Sequence, residues 1–207
     1  MQKGILITFE GIEGSGKSTH MRLAGEFLLQ KGYRLLCTHE PGGSPLGEGI
    51  RRLLLQRGMT LSPLAELFLF CADRAQHLNE VILPALEEEK VILCDRFTDS
   101  TTAYQGYGRG IDLGVIEEAN MWATGGLRPH LTILLDCDPE VGLSRVGERD
   151  RLEDEDLDFH RRVREGYLEI AKGEPERVRV VVTNWRDKEE VQGEIRDHLL
   201  QVLRRIG

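Results

Sequence analysis

The stretch "GIEGSGKST", Gly11–Thr19, constrains the fold of this chain more than any other. It places three glycines within six positions, directly after the apolar run Ile5-Leu6-Ile7-Thr8-Phe9 and directly before a long amphipathic run. A strand, a glycine-rich loop and a helix must therefore follow one another, the local order of a parallel α/β layer. Gly11, Gly16, Lys17 and Ser18 fit G-x-x-x-x-G-K-[ST], and the flanking strand and helix are the context in which that pattern binds phosphate. Glycines let successive N–H groups turn inward, and the helix beginning near Lys17 adds its positive end. The expected nucleotide contacts are Gly11, Ile12, Glu13, Gly14, Ser15, Gly16, Lys17, Ser18 and Thr19. Lys17 reaches the β- and γ-phosphates, and the Ser18 hydroxyl joins a Mg²⁺ shell.

Apolar runs recur along the rest of the chain. Strands are expected at Gly4–Phe9, Tyr33–Thr38, Val91–Cys94, Leu131–Leu135 and Val178–Val182. They are short and apolar on both faces, as buried parallel strands are. Helical patterns fill the intervals: Lys17–Gln30, Gly47–Leu55, Pro63–Glu89, Leu113–Trp122, Pro139–Val146, Leu157–Ala171 and Lys188–Arg205. This alternation predicts a three-layer α/β/α sandwich on a five-stranded parallel sheet. With 207 residues and no repeat or linker, one domain over 1–207 is expected. Thr98–Asp112, rich in glycine and hydroxyls, reads as a loop; so does Gly147–Asp158, which is densely charged.

The net charge of -8 argues against broad nucleic-acid binding, which needs a basic face. No stretch is apolar enough for a membrane span. Met1-Gln2-Lys3-Gly4 leads straight into a strand, so no signal peptide is expected. Cys37, Cys71, Cys94 and Cys137 lie far apart without a C-x-x-C pair. Four buried free thiols and a cytoplasmic location are expected.

A phosphate loop serves switches, motors and small-molecule kinases alike. A guanine-reading N-K-x-D is missing, since "TNWRD" at Thr183–Asp187 lacks the lysine. Two arginine-rich loops in a short chain suit a kinase with a phosphorylated acceptor. The third strand ends in "ILCDRF", placing Asp95 as a second magnesium position and Arg96 at the sheet edge where ligands gather. Arginine there can fork onto phosphate oxygens; the alternative is an ion pair that only caps the strand. In "LFCADRAQH", Phe70 and Arg74 are four apart and share a helix face, where a ring and a guanidinium can hold a flat base. "THEPGGSP" forms a tight loop before Arg51 and Arg52.

Taken together, "FEGIEGSGKST", "EPGGSPLGEGIRRLLL", "LFCADRAQH", "CDRFTDSTTAYQGYGRGID", "RPHLTILLDCDPEVGLSR" and "DRLEDEDLDFHRRVREGYLEIA" resemble the thymidylate kinase family of bacterial type, within the phosphate-loop nucleoside monophosphate kinases. The resemblance covers roughly residues 5 to 172. It implies transfer of the γ-phosphoryl of ATP to dTMP with Mg²⁺, in a homodimer. Phe70 would stack on thymine, and Arg74, Thr101 and Gln105 would meet the base. Tyr104 would lie against the deoxyribose, while Arg96 and Arg51 would hold the acceptor phosphate. Glu40 and Asp95 would arrange the metal and phosphates. The charged segment 147–158 would be a lid whose arginines reach ATP. Arg151 matches that role better than Arg149, with Arg145 third; Glu13 rather than arginine in the phosphate loop favours a lid arginine. His39 stands where the family usually has arginine. His20, His77, His130, His160 and His198 lack metal-ligand spacing and are expected at the surface or in packing. The rival readings are another small-acceptor kinase on this scaffold and a regulator without transfer activity.

Overall fold

The computed structural model describes residues 4–147 and 149–206. Met1, Gln2, Lys3, Glu148 of the expected lid and Gly207 lie outside the described residues. Five parallel strands form one sheet in the order β2-β3-β1-β4-β5. They are β1 (Ile5–Glu10), β2 (Leu35–His39), β3 (Val91–Asp95), β4 (Leu131–Asp136) and β5 (Val178–Val182). β1 lies between β3 and β4, with Ile7 level with both Leu93 and Leu131. All six residues of β1 and of β4 are buried, so these strands carry side chains for both layers of the core.

On one face, α1 (Lys17–Gln30) and α9 (Lys188–Ile206) close over the sheet. Ala24 and Leu28 of α1 and Val191, Ile195, Leu199 and Leu203 of α9 join Ile5, Ile7, Phe9 and Ile133 in one cluster. The α9 positions recur every four residues, which is the apolar stripe of a helix lying on a layer. On the other face, Tyr104, Phe159, Val163 and Tyr167 pack with Ile12 and Leu134. Leu78, Ile82 and Phe97 pack with Leu6 and Ile92.

The remaining elements are α2 (Pro45–Leu55), α3 (Pro63–His77), α4 (Leu83–Glu87), α5 (Thr98–Thr101), α6 (Leu113–Thr124), α7 (Pro139–Ser144) and α8 (Leu157–Gly173). Their starts follow capping chemistry. Ser44, Ser62, Asp112, Asp138 and Asp156 each accept from a backbone N–H in the first turn. Proline occupies the first turn of α2, α3 and α7, where its missing N–H costs nothing.

Three expectations need correction. The helix expected over Pro63–Glu89 is interrupted by a π-helical turn at Leu78–Ile82, and Pro84 then sits in the first turn of α4. Thr98–Asp112 is not a loop: α5 continues into a second π-helical segment, Thr102–Gly108, which packs on α8. Its glycines permit that approach, because a Cβ at Gly108 would meet Phe159 at 2.7 Å. Of the four thiols, only Cys94 and Cys137 are buried; Cys71 is half-buried and Cys37 is exposed, since β2 is an edge strand.

Candidate active site

A cleft of about 1060 Å³ opens at the carboxyl ends of β1, β2 and β3. Its lining runs from Lys17 and Ser18 past Asp95 and Arg96 to Phe70, Arg74, Thr101 and Gln105. Arg51, Tyr104, Glu13 and Glu40 line it as well. Thus the positions singled out in five separate sequence segments meet in one cavity.

At one end, the loop between β1 and α1 is shaped by glycines that no other residue could replace. Gly11 has φ +138°, and a Cβ there would lie 2.5 Å from the Leu135 carbonyl oxygen. Gly14 has φ +66°, and its Cβ would come within 1.9 Å of the Gly142 carbonyl oxygen on α7. The reverse holds too, for a Cβ on Gly142 would meet the Glu13 carbonyl oxygen at 2.4 Å. Lys17 is buried and donates to the carbonyls of Gly11 (3.0 Å) and Ile12 (2.8 Å). Burial, followed by the positive charge of Arg96, lowers the Lys17 ammonium to about 8.

The Ser18 hydroxyl donates to Asp95 Oδ2 at 3.3 Å. Asp95 Oδ1 is buried with no hydrogen-bond partner among the described residues. A hydroxyl and a carboxylate with a spare oxygen beside the phosphate loop suit a hard divalent cation such as Mg²⁺.

Arg96 directly follows β3 and adopts a left-handed backbone, φ 71°. A non-glycine residue in that region costs on the order of 1–2 kcal/mol. The strain is offset by a dense set of contacts. Nη1 donates to the Gly11 carbonyl (3.1 Å), Ser100 Oγ (3.2 Å) and Tyr167 Oη (3.2 Å), and Nη2 donates to Glu13 Oε1 (3.0 Å). The guanidinium also lies over the Tyr104 ring, 5.0 Å from its centre. The Tyr104 hydroxyl donates to the same Glu13 oxygen. Burial favours a neutral Glu13, yet His160, Arg96 and Lys17 beside it hold that carboxyl well below the usual range. Glu10, at the end of β1, accepts from Phe97 N (2.7 Å), Ser100 Oγ (2.6 Å) and Tyr167 Oη (3.0 Å). Its burial, reinforced by the charge of Asp99, raises it to about 7.

The far end is built differently. Arg74 is 1% exposed. Its Nε donates to Glu40 Oε2 (2.8 Å), Nη1 to Thr101 Oγ1 (2.9 Å) and Asn120 Oδ1 (2.8 Å), and Nη2 to the Phe97 carbonyl (3.0 Å). Of five N–H donors, one on Nη2 is left among the described residues. The other Glu40 oxygen meets His77 Nδ1 at 3.0 Å, and His77 Nε2 pairs with Thr38 Oγ1 at 2.7 Å. Both oxygens of Glu40, expected to help hold a metal, are therefore engaged. Arg51 donates to the Pro41 carbonyl at 2.8 Å, across the cis Glu40–Pro41 peptide. Phe70 is half-buried on the cleft wall, one turn from Arg74.

Around the segment expected as a lid, the arginines take different partners. Arg145 Nη1 donates to the Gly14 carbonyl of the phosphate loop at 3.2 Å. Arg151, placed first from the sequence, points away from that loop. Its Nε donates to the Leu54 carbonyl (2.7 Å), and Nη2 pairs with Glu66 Oε2 (2.6 Å). Arg149 is exposed. Asp150, Leu152 and Glu153 line the cleft beside the loop.

Sequence reasoning missed Glu10, Glu66, Ser100, Arg109, Asn120 and Tyr167. Each is a buried or half-buried polar residue with at least one partner 22 or more residues away. His77 and His160, expected only to pack, are wired to Glu40 and Glu13. No group of three or more metal-ligating His, Cys, Asp or Glu occurs among the described residues.

The family model for thymidylate kinase matches residues 9–195. The thymidylate kinase of Synechococcus sp. (strain JA-2-3B'a(2-13)) is 58% identical over 174 residues, covering 84% of either chain. That of Desulfovibrio desulfuricans is 50% identical and spans 98% of both chains. Among solved structures, thymidylate kinase from Ehrlichia chaffeensis superposes with a TM-score of 0.79 at 37% identity, over 96% of this chain and 99% of that one. The family model spans every segment that lines the cleft, and together these matches establish that this chain belongs to the thymidylate kinase family.

Proposed function

We infer that the chain transfers the γ-phosphoryl group of ATP to dTMP, giving dTDP and ADP, a step in making dTTP. The observation that carries this reading is the single cleft joining a phosphate loop to a pocket of Phe70, Arg74 and Gln105. One end suits a triphosphate and the other a planar base.

The acceptor phosphate is already an anionic nucleophile, so the protein must align two repelling anions and neutralise the moving group. Lys17 leaves the Gly11 and Ile12 carbonyls and takes up phosphate oxygens instead. Ser18 and Asp95 would hold Mg²⁺, which would neutralise phosphate charge. Arg96 and Arg51 bind the acceptor phosphate, with Arg96 pre-aimed by Glu13 and Tyr104. Tyr104 also lines the deoxyribose position. Glu40 fixes Arg74 through one oxygen and meets His77 through the other. Arg145, already at the loop, brings lid charge to the phosphates, and lid closure keeps water from the γ-phosphoryl.

Thymine presents a C4 carbonyl and an N3–H; cytosine presents an amino group and a bare N3. The remaining Arg74 N–H complements the thymine carbonyl and opposes the cytosine amine. Leu64 and Phe68 on α3 and Met121 and Trp122 on α6 are exposed, and they supply the apolar surface for a homodimer.

ADP release in the presence of ATP, Mg²⁺ and each of dTMP, dCMP, AMP and thymidine tests the reading. Preference for dTMP is expected. Equal use of dCMP or thymidine would favour another acceptor on this scaffold, and acceptor-independent turnover would overturn the transfer reaction.

A further inference from the structure

Glu66 is the most heavily committed carboxylate outside the reacting groups. It lies on α3, two turns before Arg74, and is fully buried. Three side chains from two segments converge on it. Gln105 Nε2, from the π-helical segment, donates to Oε1 at 2.8 Å. Arg109 donates to Oε1 and Oε2 at 3.1 and 3.2 Å. Arg151 of the lid pairs with Oε2 at 2.6 Å. Burial raises a carboxyl, yet the bonds from Arg109 and Gln105 and the charges of Arg109 and Arg151 carry Glu66 below its ordinary range. It is an ionised group and can only accept.

That restriction settles the orientation of Gln105. A primary amide has one end that donates and one that accepts, and the two are easily exchanged by rotation. A carboxylate partner admits only the NH₂ end. Gln105 lines the cleft at 1% exposure, so its carbonyl oxygen is the group left for a bound base.

We propose that Glu66 is a positioning residue that sets pyrimidine specificity by locking the Gln105 amide with its carbonyl toward the acceptor base. The locked carbonyl accepts from a base carrying N–H at position 3, as thymine and uracil do. It faces the lone pair of cytosine, where a hydrogen bond cannot form and two acceptors repel. Arg109 and Arg151 take part indirectly, by keeping Glu66 ionised inside the protein. This inference rests on the dTMP reading above. Failure of the wild-type chain to phosphorylate dTMP would sink that reading, and the variants below would not be needed to see it.

The test is Glu66→Gln, assayed for kcat and KM with dTMP, dUMP and dCMP, with dTMP and dCMP affinity measured calorimetrically. A neutral amide at 66 accepts either end of Gln105 and frees it to turn. The kcat/KM preference for dTMP over dCMP should fall about tenfold, mainly through KM, the worth of one specific hydrogen bond. The preference for dTMP over dUMP should hold within about twofold, because both carry the N3–H. Parallel loss on all three acceptors, with the dTMP-to-dCMP ratio unchanged, would show a merely structural Glu66 and overturn the proposal. Should Glu66→Gln not fold, Glu66→Asp carries the test. It keeps a charge for the arginines but withdraws it from the amide, and the ratio must again fall. Gln105→Met should lower the ratio as much as Glu66→Gln, and combining the two should lower it no further. Full additivity would mean that Glu66 does not act through Gln105.

Discussion

The two ends of the cleft solve the same problem, binding an anionic nucleotide, with different materials. The phosphate-loop end is made of main chain: glycines at positive φ, carbonyls that park Lys17, and a helix start. The acceptor end is made of side chains, with Arg74, Arg96 and Glu66 each held by three or more partners from distant segments. A main-chain site tolerates loss of one side chain without loss of the fold. A buried ionic cage does not, because removing one member strands the charge of another.

Lys17→Ala tests the first half of that contrast and has the largest expected effect on activity. The lysine touches only carbonyls of its own loop, so circular dichroism and melting temperature should change little. Turnover should fall by on the order of a thousandfold or more, as loss of a phosphate-neutralising charge does. Near-normal turnover would break the comparison at its donor end.

Arg74→Ala tests the second half. A purely local view of a base contact predicts weaker dTMP binding in an intact enzyme. The burial of Arg74 against Glu40, Asn120 and Thr101 predicts instead a stability loss of about 3–5 kcal/mol, with Glu40 Oε2 stripped of its arginine. Chemical denaturation reads this directly. Unchanged stability would show that the acceptor end is not a cage.

Acidity gives a third handle. Burial lowers Lys17 to about 8, below its unfolded value of 10.5. Between those values the unfolded chain holds the extra proton, so this group's contribution to stability rises with pH across that window and is at its least favourable below 8. ATP reverses the environment by supplying negative charge. Binding should therefore take up a proton near pH 8, and affinity should fall by up to about tenfold per pH unit above that point. Calorimetry in buffers of different ionisation enthalpy measures the uptake, which Lys17→Ala should abolish. Equal uptake in that variant would assign the proton elsewhere.

Phe68→Glu probes the outer surface of α3, the helix that also carries Arg74. Sedimentation should show dissociation of the proposed dimer. Because the acceptor end shares that helix, dTMP affinity should drop by about threefold or more while ATP affinity stays level. An equal drop for both ligands would erase the distinction between the ends. Arg57→Ala, which removes an exposed pair with Asp154 of the lid, should cost at most about 0.5 kcal/mol and barely alter turnover.

What could be read from the chain follows the same division. Gly11, Gly16, Lys17 and Ser18 announce themselves because main-chain sites need fixed local spacing. The buried strands were legible from unbroken apolar runs such as Leu131–Leu135. Glu66, Asn120 and Tyr167 gave no such signal. Their meaning comes from partners 39, 46 and 157 residues away, which only the tertiary arrangement supplies. The π-helical segment at Thr102–Gly108 was hidden for a related reason. Its glycines and hydroxyls read as a turn by local propensity, and packing against α8 overrides that propensity. Arg145 and Arg151 illustrate a third limit, since two arginines six residues apart in a charged run cannot be ranked until the chain's path is known.

The meeting of Gly14 and Gly142 fixes one boundary of the proposed lid. Neither partner has atoms to spare, so the stem of the lid is bolted to the nucleotide loop by bare backbone on both sides. At the other boundary, Phe159 and Val163 anchor α8 in the interior. The proposed closure is thereby flanked by two anchored elements, so shortening or lengthening the chain between them would alter it without disturbing the phosphate loop.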